Sequence, residues 1–400
     1  MCTDAFTRNL GSLPIYMVLA LAILSLSARA CASTPPLDSA SAEKEIAEAF
    51  TAATLKGTSS EVASMLVHSD RLRVHALFRA NAQGPEAFHL ASVGKLFTTV
   101  LVGCLIDSRR LALDSSVAPL LPPSTLDGLF VYNGTDYQSI VTVRQLLAHT
   151  SGVADYFSGP VKEGKNTPSV DRLIVSEPAR RWTPLELLAF SRDHQEAIGV
   201  PGGKYNYSDT GFIILGLLVE GLYGQPFHEV LSDEILTPLD MKETFMPFVS
   251  KPASGKDNAI RKAWLGKAEV STNTSITADW SGGGIASTEV DLLKFSRALW
   301  TGKLLSDETL SELRRYDQVF MKGIEYGAGL MRMDFGKFFF LLKGYPKPEG
   351  HIGILATMLI YDPEHDIHIV LNFGDTEKME SAFRLVIQVF GILMRVSQGA

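Results

Sequence analysis

Cysteine is scarce in this chain, with 3 in 400 residues, too few for a fold stapled by disulfides. Cys2 and Cys31 fall in or at the edge of the first thirty residues, leaving Cys104 alone in the body. No internal disulfide is therefore expected in the mature chain. Cys104, set among Leu101, Val102, Leu105 and Ile106, reads as a packed small hydrophobe and not as a nucleophile. Metal-ligating patterns are missing too: the 9 histidines are scattered, with no His-Glu-x-x-His and no paired cysteines, so neither a metal nor another cofactor is expected. A Gly-x-Ser-x-Gly elbow is absent, which sets aside the α/β-hydrolase arrangement. There is no basic stripe either. The formal net charge is -7 and Lys and Arg are spread along the chain, which argues against a nucleic-acid partner. No internal repeat and no long low-complexity tract is visible.

What is present, 46% hydrophobic and 20% charged residues, suits an enzyme-sized globular protein with a large core. The first thirty residues stand apart. Ile15 to Ala28 is an uncharged run behind the single positive charge of Arg8. As a helix it spans roughly 21 Å, short of the roughly 30 Å of a bilayer core. Residues 1–30 are thus expected to be a signal peptide, with cleavage sites at Ala28/Ala30 or Ala30/Ala32, and the protein to be exported to a periplasmic or extracellular location. An uncleaved anchor is the rival reading. Cys31 raises the question of lipidation, yet Ala28 and Arg29 depart from a bacterial lipobox; membrane contact is expected only through the leader or such a lipid.

Residues 31–41 read as a Pro/Ser/Ala-rich linker, and 42–400 as the main domain. A helix is expected over about Ala42 to Leu55, and a hairpin over Ala63 to Ala80, broken at His68-Ser69-Asp70. Leu96 to Ile106 is apolar nearly all round, the mark of a buried helix. From about 107 to 280, helical segments alternate with Pro/Gly-rich loops, suggesting an inserted α-rich lobe. Strands are expected again at Tyr326 to Met333, Phe338 to Lys343, Ile354 to Tyr361 and Ile367 to Phe373, and a closing helix over about Lys378 to Val396. The fold class that follows is α+β: an antiparallel sheet built from both ends of the chain, flanked by helices, with an α-rich lobe inserted and a cleft between lobes.

Three local patterns carry chemistry. Ser92 and Lys95, in Ala91-Ser92-Val93-Gly94-Lys95, are three apart at the start of the buried helix. That spacing puts both side chains on one face, where an amine can take the hydroxyl proton. A serine alcohol needs such a base, and lysine serves only where burial or a nearby positive charge makes the free amine accessible. Pro201-Gly202-Gly203-Lys204-Tyr205-Asn206-Tyr207-Ser208-Asp209 is a Gly-rich loop that delivers Tyr207 just before an apolar helix, where a phenolate or proton relay can act. Glu349-Gly350-His351-Ile352-Gly353-Ile354 lies at the mouth of a strand, with two glycines permitting close approach to the backbone. Each pattern alone is also compatible with an ordinary helix start, helix cap or turn.

In this order and spacing, the three patterns resemble the serine β-lactamase and penicillin-binding D,D-peptidase superfamily, in its class C β-lactamase-like branch of related serine hydrolases. The first is a motif known for that superfamily. The resemblance extends through Leu111 to Asp114, Val143 to Gly152, Leu236 to Met241 and Gly283 to Thr288. It implies Ser92 as the acylated nucleophile, Lys95 and Tyr207 as the pair shuttling its proton, and the backbone N–H groups of Ser92 and Ile354 as an oxyanion hole. It also implies His351 to Gly353 lining the cleft and Asp209 at the substrate side, with His149 in a structural loop. Two departures bear on substrate. Asp209 stands where the family has Asn, and beside Lys95 it would stabilise the charged amine. His351-Ile352-Gly353 stands where Lys-Thr-Gly is usual, which weakens attraction for a substrate carboxylate. The expected activity is acyl-enzyme hydrolysis of a small-molecule ester or short peptide-like amide, ahead of β-lactams. The alternative is a catalytically silent binding protein that keeps the fold.

Overall fold

The computed structural model describes residues 36–55, 57–84, 86–162, 167–256 and 259–396. The expected leader, its cleavage sites and Cys31 lie outside the described residues. The centre is an eight-stranded antiparallel sheet of β1 (Ser64–Ser69), β2 (Val74–Arg79), β3 (Gln318–Met321), β4 (Ile324–Tyr326), β5 (Met331–Met333), β6 (Glu349–Gly353), β7 (Thr357–Asp362) and β8 (Ile367–Asn372), in the order β2-β1-β8-β7-β6-β5-β4-β3. β1 joins the sheet by pairing with β8, Ser64 opposite Asn372. Two segments about 240 residues apart thus share one sheet, because only together do they offer enough paired backbone and apolar surface.

Alternation along the central strands sends side chains into two cores. Met65 and Val67, Met358 and Ile360, and Ile369 and Leu371 point to one face. Leu66, Leu359 and Val370 point to the other. Because both faces are covered, these strands read as continuous apolar runs instead of alternating ones. The first face is covered by α1 (Ser39–Thr54), started by the Asp38 side chain accepting from Ser41 N at 2.7 Å, and by α5 (Met379–Leu393), which buries Phe383, Val386 and Phe390. The second face meets α2 (Lys95–Asp107), α3 (Asp209–Tyr223) and α4 (Glu289–Trp300). Between β2 and β3 the regular elements of the described residues are mostly helices, joined by loops and two-residue strands.

Two strand expectations need correction. Tyr326 to Met333 is not one strand but the β4–β5 hairpin, turned at residues 327–330 with Gly329 at φ +79°. Phe338 to Lys343 is helical, as the turns Phe335–Phe338 and Phe340–Leu342. Its run of aromatic and leucine residues carries no alternation to separate strand from helix, and its exposed members, Phe340 and Leu341, interrupt the buried Phe335 and Leu342. β3 and the full extent of β6 were not expected. Ile354, placed in a strand by the sequence, lies in the turn from β6 to β7.

Candidate active site

Ser92 sits in the short 3₁₀ turn Ala91–Gly94 that opens into α2, and is partly exposed. The turn is tightly held: Leu90 N donates to Ile285 O at 2.9 Å, and Ala91 has φ +47°, a left-handed conformation that a non-glycine residue adopts only when its surroundings enforce it. The enforcing neighbour is the glycine triplet 282–284. A Cβ on Gly283 would lie 2.5 Å from Ala91 O, so the backbone of the triplet seats directly under the serine turn.

One turn on, Lys95 is completely buried. Its Nζ donates to Ser92 Oγ at 3.2 Å, to Gly282 O at 2.9 Å and to Asp209 Oδ1. An ammonium has three protons, and all three are used. The helical spacing of Ser92 and Lys95 thus meets the start of α3, whose first residue is Asp209. Tyr207 precedes α3 by one residue beyond its Ser208 cap. Its ring lies 5.1 Å from Lys95 Nζ, and its phenol is on the Ser92 side of the site. Burial, together with the Asp209 charge, holds that phenol protonated well above its ordinary range, and the nearby Ser92 hydroxyl only partly opposes the shift. In this state Tyr207 is a proton donor, not a phenolate.

The loop 149–156 clamps the Tyr207 segment. Gly202 N donates to Thr150 O and Asn206 N to His149 O, both at 2.8 Å. Ser208 N donates to His149 Nδ1 at 3.1 Å and Ser208 Oγ to Ala154 O at 2.9 Å. The His149 ring, 4.3 Å from that of Tyr207, and Phe320 of β3, 5.6 Å away on an edge, fix the phenol from two sides. Asp155 accepts from Asp209 N at 3.0 Å, the first N–H of α3, and from Ser158 N and Oγ. Burial and then the Asp209 charge raise its carboxyl to about 6. Asp279 is raised to about 7 by burial and by Asp209, with Lys95 pulling the other way. One buried ammonium thus faces three acidic groups, two of which hold their protons more firmly than ordinary carboxyls.

On the opposite wall, the end of β6 lies against the serine turn. A Cβ on Gly353 would stand 2.6 Å from Leu90 O and 3.3 Å from Ser92 N. Only glycine permits that approach, and it brings the start of the following turn, with the 37% exposed Ile354, beside Ser92. Ser92, Lys95, Tyr207, Asp209, Gly353 and Ile354 are therefore brought together. His351 is not: expected at the cleft wall, it is fully enclosed. Its Nδ1 lies 2.7 Å from Ile352 O and its Nε2 3.0 Å from Tyr326 Oη. Tyr326, Asp155, Asp279 and Phe320 were not singled out beforehand, because none sits in a recognisable spacing with the serine.

A model of the Beta-lactamase family matches residues 46–389. Penicillin-binding protein 4 of Amycolatopsis lactamdurans is 30% identical over 162 residues, 40% of this chain and 36% of that protein. The chain spans about a third of the length of the curated relatives it matches. Among solved structures, a D-stereospecific amidohydrolase from Streptomyces sp. agrees with a TM-score of 0.68 at 25% identity, over 87% of this chain and 98% of that one. D-amino acid amidase from Ochrobactrum anthropi SV3 agrees with a TM-score of 0.67 at 21% identity, over 86% and 99% of the two chains.

Proposed function

The chain belongs to the Beta-lactamase family, and from that premise we propose that it is a serine hydrolase working through an acyl-enzyme on Ser92, with an ester or a peptide-like amide as substrate. The observation that carries this reading is the contact set of Lys95, whose Nζ meets Ser92 Oγ, Gly282 O and Asp209 at once. In the reactive form the amine, having given up one proton, accepts the Ser92 proton as Oγ attacks the carbonyl carbon. The oxyanion formed is met by the N–H groups of Ser92 and Ile354, each donor of this kind contributing a few kcal/mol in the transition state. Tyr207, held protonated, delivers a proton to the departing alkoxide or amine as the carbon–leaving-group bond breaks, and is recharged from Lys95. Water then attacks the acyl group by the reverse sequence.

Substrate preference follows from charge. The one buried ammonium is paired with Asp209 and lies near Asp279, Asp155 stands behind Asp209, and the third motif supplies a buried neutral imidazole where the superfamily has lysine. A substrate carboxylate finds no spare cation in this set. The amidohydrolase and D-amino acid amidase likeness supports an amide as the second substrate class.

The test is covalent labelling with a fluorophosphonate probe followed by intact mass, together with turnover of nitrophenyl esters, D-amino-acid peptides and a chromogenic cephalosporin. A single adduct that disappears in Ser92→Ala is expected, with esters turned over fastest and the cephalosporin slowest. Well-folded protein that takes up no probe points instead to a binding protein, and fast cephalosporin turnover overturns the substrate assignment.

A further inference from the structure

Behind Tyr207, three fully enclosed side chains form a hydrogen-bond chain whose direction can be read from its ends. At one end Ser208 N, which can only donate, lies 3.1 Å from His149 Nδ1. That nitrogen must carry the lone pair, so in the neutral ring the proton is on Nε2. His149 Nε2 is 3.1 Å from Tyr326 Oη, and donates to it. At the other end Ile352 O, which can only accept, lies 2.7 Å from His351 Nδ1. The His351 proton is therefore on Nδ1, and Nε2 is left to accept across 3.0 Å from Tyr326. The single phenolic proton of Tyr326 goes to His351 and its oxygen receives from His149. Every group is used once, and the order Ser208 N, His149, Tyr326, His351, Ile352 O runs one way only.

Both imidazoles must be neutral for this to hold. An extra proton on His351 Nε2 would face the Tyr326 oxygen, whose own proton would then be turned toward the proton already on His149. Burial and the nearby Lys95 charge act in the same sense, pushing His149 well below its usual range and His351 to about 3. The groups facing the chain are Lys95, Tyr205, Tyr207 and Asp209. None of them is hydrogen-bonded to Tyr326.

The two ends are the informative part. Ser208 N belongs to the peptide that follows Tyr207, and Ile352 O to the peptide that precedes Gly353 and, next, Ile354. We infer that Tyr326 is a positioning residue: through His149 and His351 it fixes the separation between the proton-donating phenol of Tyr207 and the strand end that offers the second oxyanion donor. This inference rests on the serine hydrolase reading above. It makes the buried His351 in the third motif a strut and not a substrate contact, with Tyr326 as the group that makes the imidazole serviceable there.

Side-chain ¹⁵N NMR of histidine-labelled protein requires no variant, and should find His149 protonated on Nε2, His351 on Nδ1, and neither taking up a proton between pH 8 and pH 5. The same tautomer at both sites, or titration of either ring near pH 6.5, overturns the chain whatever the enzyme does. In Tyr326→Phe the Tyr207 ¹³Cζ resonance should move, and kcat for a nitrophenyl ester should fall about ten- to a hundredfold with KM within about threefold. An unmoved Tyr207 resonance, or an unchanged kcat, overturns the positioning role. Wild-type protein that hydrolyses nothing and takes up no fluorophosphonate would sink the hydrolase reading alone, since both NMR observations still decide the inference.

Discussion

Gly353→Ala is the sharpest single perturbation of the proposed oxyanion hole. The added methyl group would stand 2.6 Å from Leu90 O, 3.2 Å from the Ala91 Cβ and 3.3 Å from Ser92 N. Ordinary carbon–oxygen contact needs a retreat of about 0.7 Å. Neither side yields freely, for Gly353 is registered against Thr357 of β7 and Leu90 N is bonded to Ile285 O. The retreat must therefore open the space between the N–H groups of Ser92 and Ile354. Misplacing or losing one such donor lowers kcat by on the order of 10² to 10³, about 3 to 4 kcal/mol of transition-state stabilisation. The accompanying overpacking strain is about 1 to 3 kcal/mol of stability, which leaves a chain of this size folded at room temperature. Ester turnover and urea unfolding measured on the same preparation separate the two effects. A kcat within threefold of wild type in a folded variant would refute the placement of β6 as the second oxyanion donor; a loss accounted for by the unfolded fraction would do the same.

Two further outcomes follow from the charges. Asp209→Asn removes the carboxylate paired with Lys95 and keeps an amide of the same shape. The pH–rate profile for ester hydrolysis should move toward acid, and an unmoved profile would show that the lysine is not the base. Acid should also loosen the fold. His68, His89, His149, His351 and His368 are all pushed down by burial, the last two to about 3. The unfolded chain protonates these groups first as pH falls below 6.5, so each removes up to about 1.4 kcal/mol per pH unit down to its own folded pKa. Asp155, Glu220 and Asp279 are raised and act in the opposite sense above about pH 4. Five against three leaves a net loss between pH 6.5 and 4, and a urea midpoint that holds steady or rises over that range contradicts it.

How much could be read beforehand depends on how local each signal is. Ser92 and Lys95 are one helical turn apart, so their meeting is a property of α2 alone. β1, β7 and β8 are runs of apolar residues bounded by turn residues, and needed no tertiary context either. His351 shows where such reading ends. Residues 351 and 353 point to the same face of β6, and a strand rises about 3.3 Å per residue, so His351 stands roughly 7 Å deeper than Gly353. Whether that depth is cleft or core depends on what covers it. The cover is Tyr326, from a hairpin 25 residues earlier that the sequence presents as a single strand. Asp155 and Asp279 were equally hidden, because they come from segments that reach Asp209, the one acidic residue the motif did place, only after the helices pack.

That convergence changes what the departure at Asp209 means. Taken alone, an aspartate in the usual place of asparagine adds a charge that holds the lysine in its unreactive form. In the folded site burial and the same charge raise Asp155 to about 6 and Asp279 to about 7, so those two begin to take up protons at a pH where isolated carboxyls would not. Neutral His149 and His351 add no charge. The result is a site with more carboxyls than cations, with a protonated phenol at its edge and Phe320 against that phenol. On the serine hydrolase reading proposed above, such a site would suit an uncharged acyl group better than a carboxylate-bearing one, because a carboxylate would enter beside Asp209 without a cation of its own.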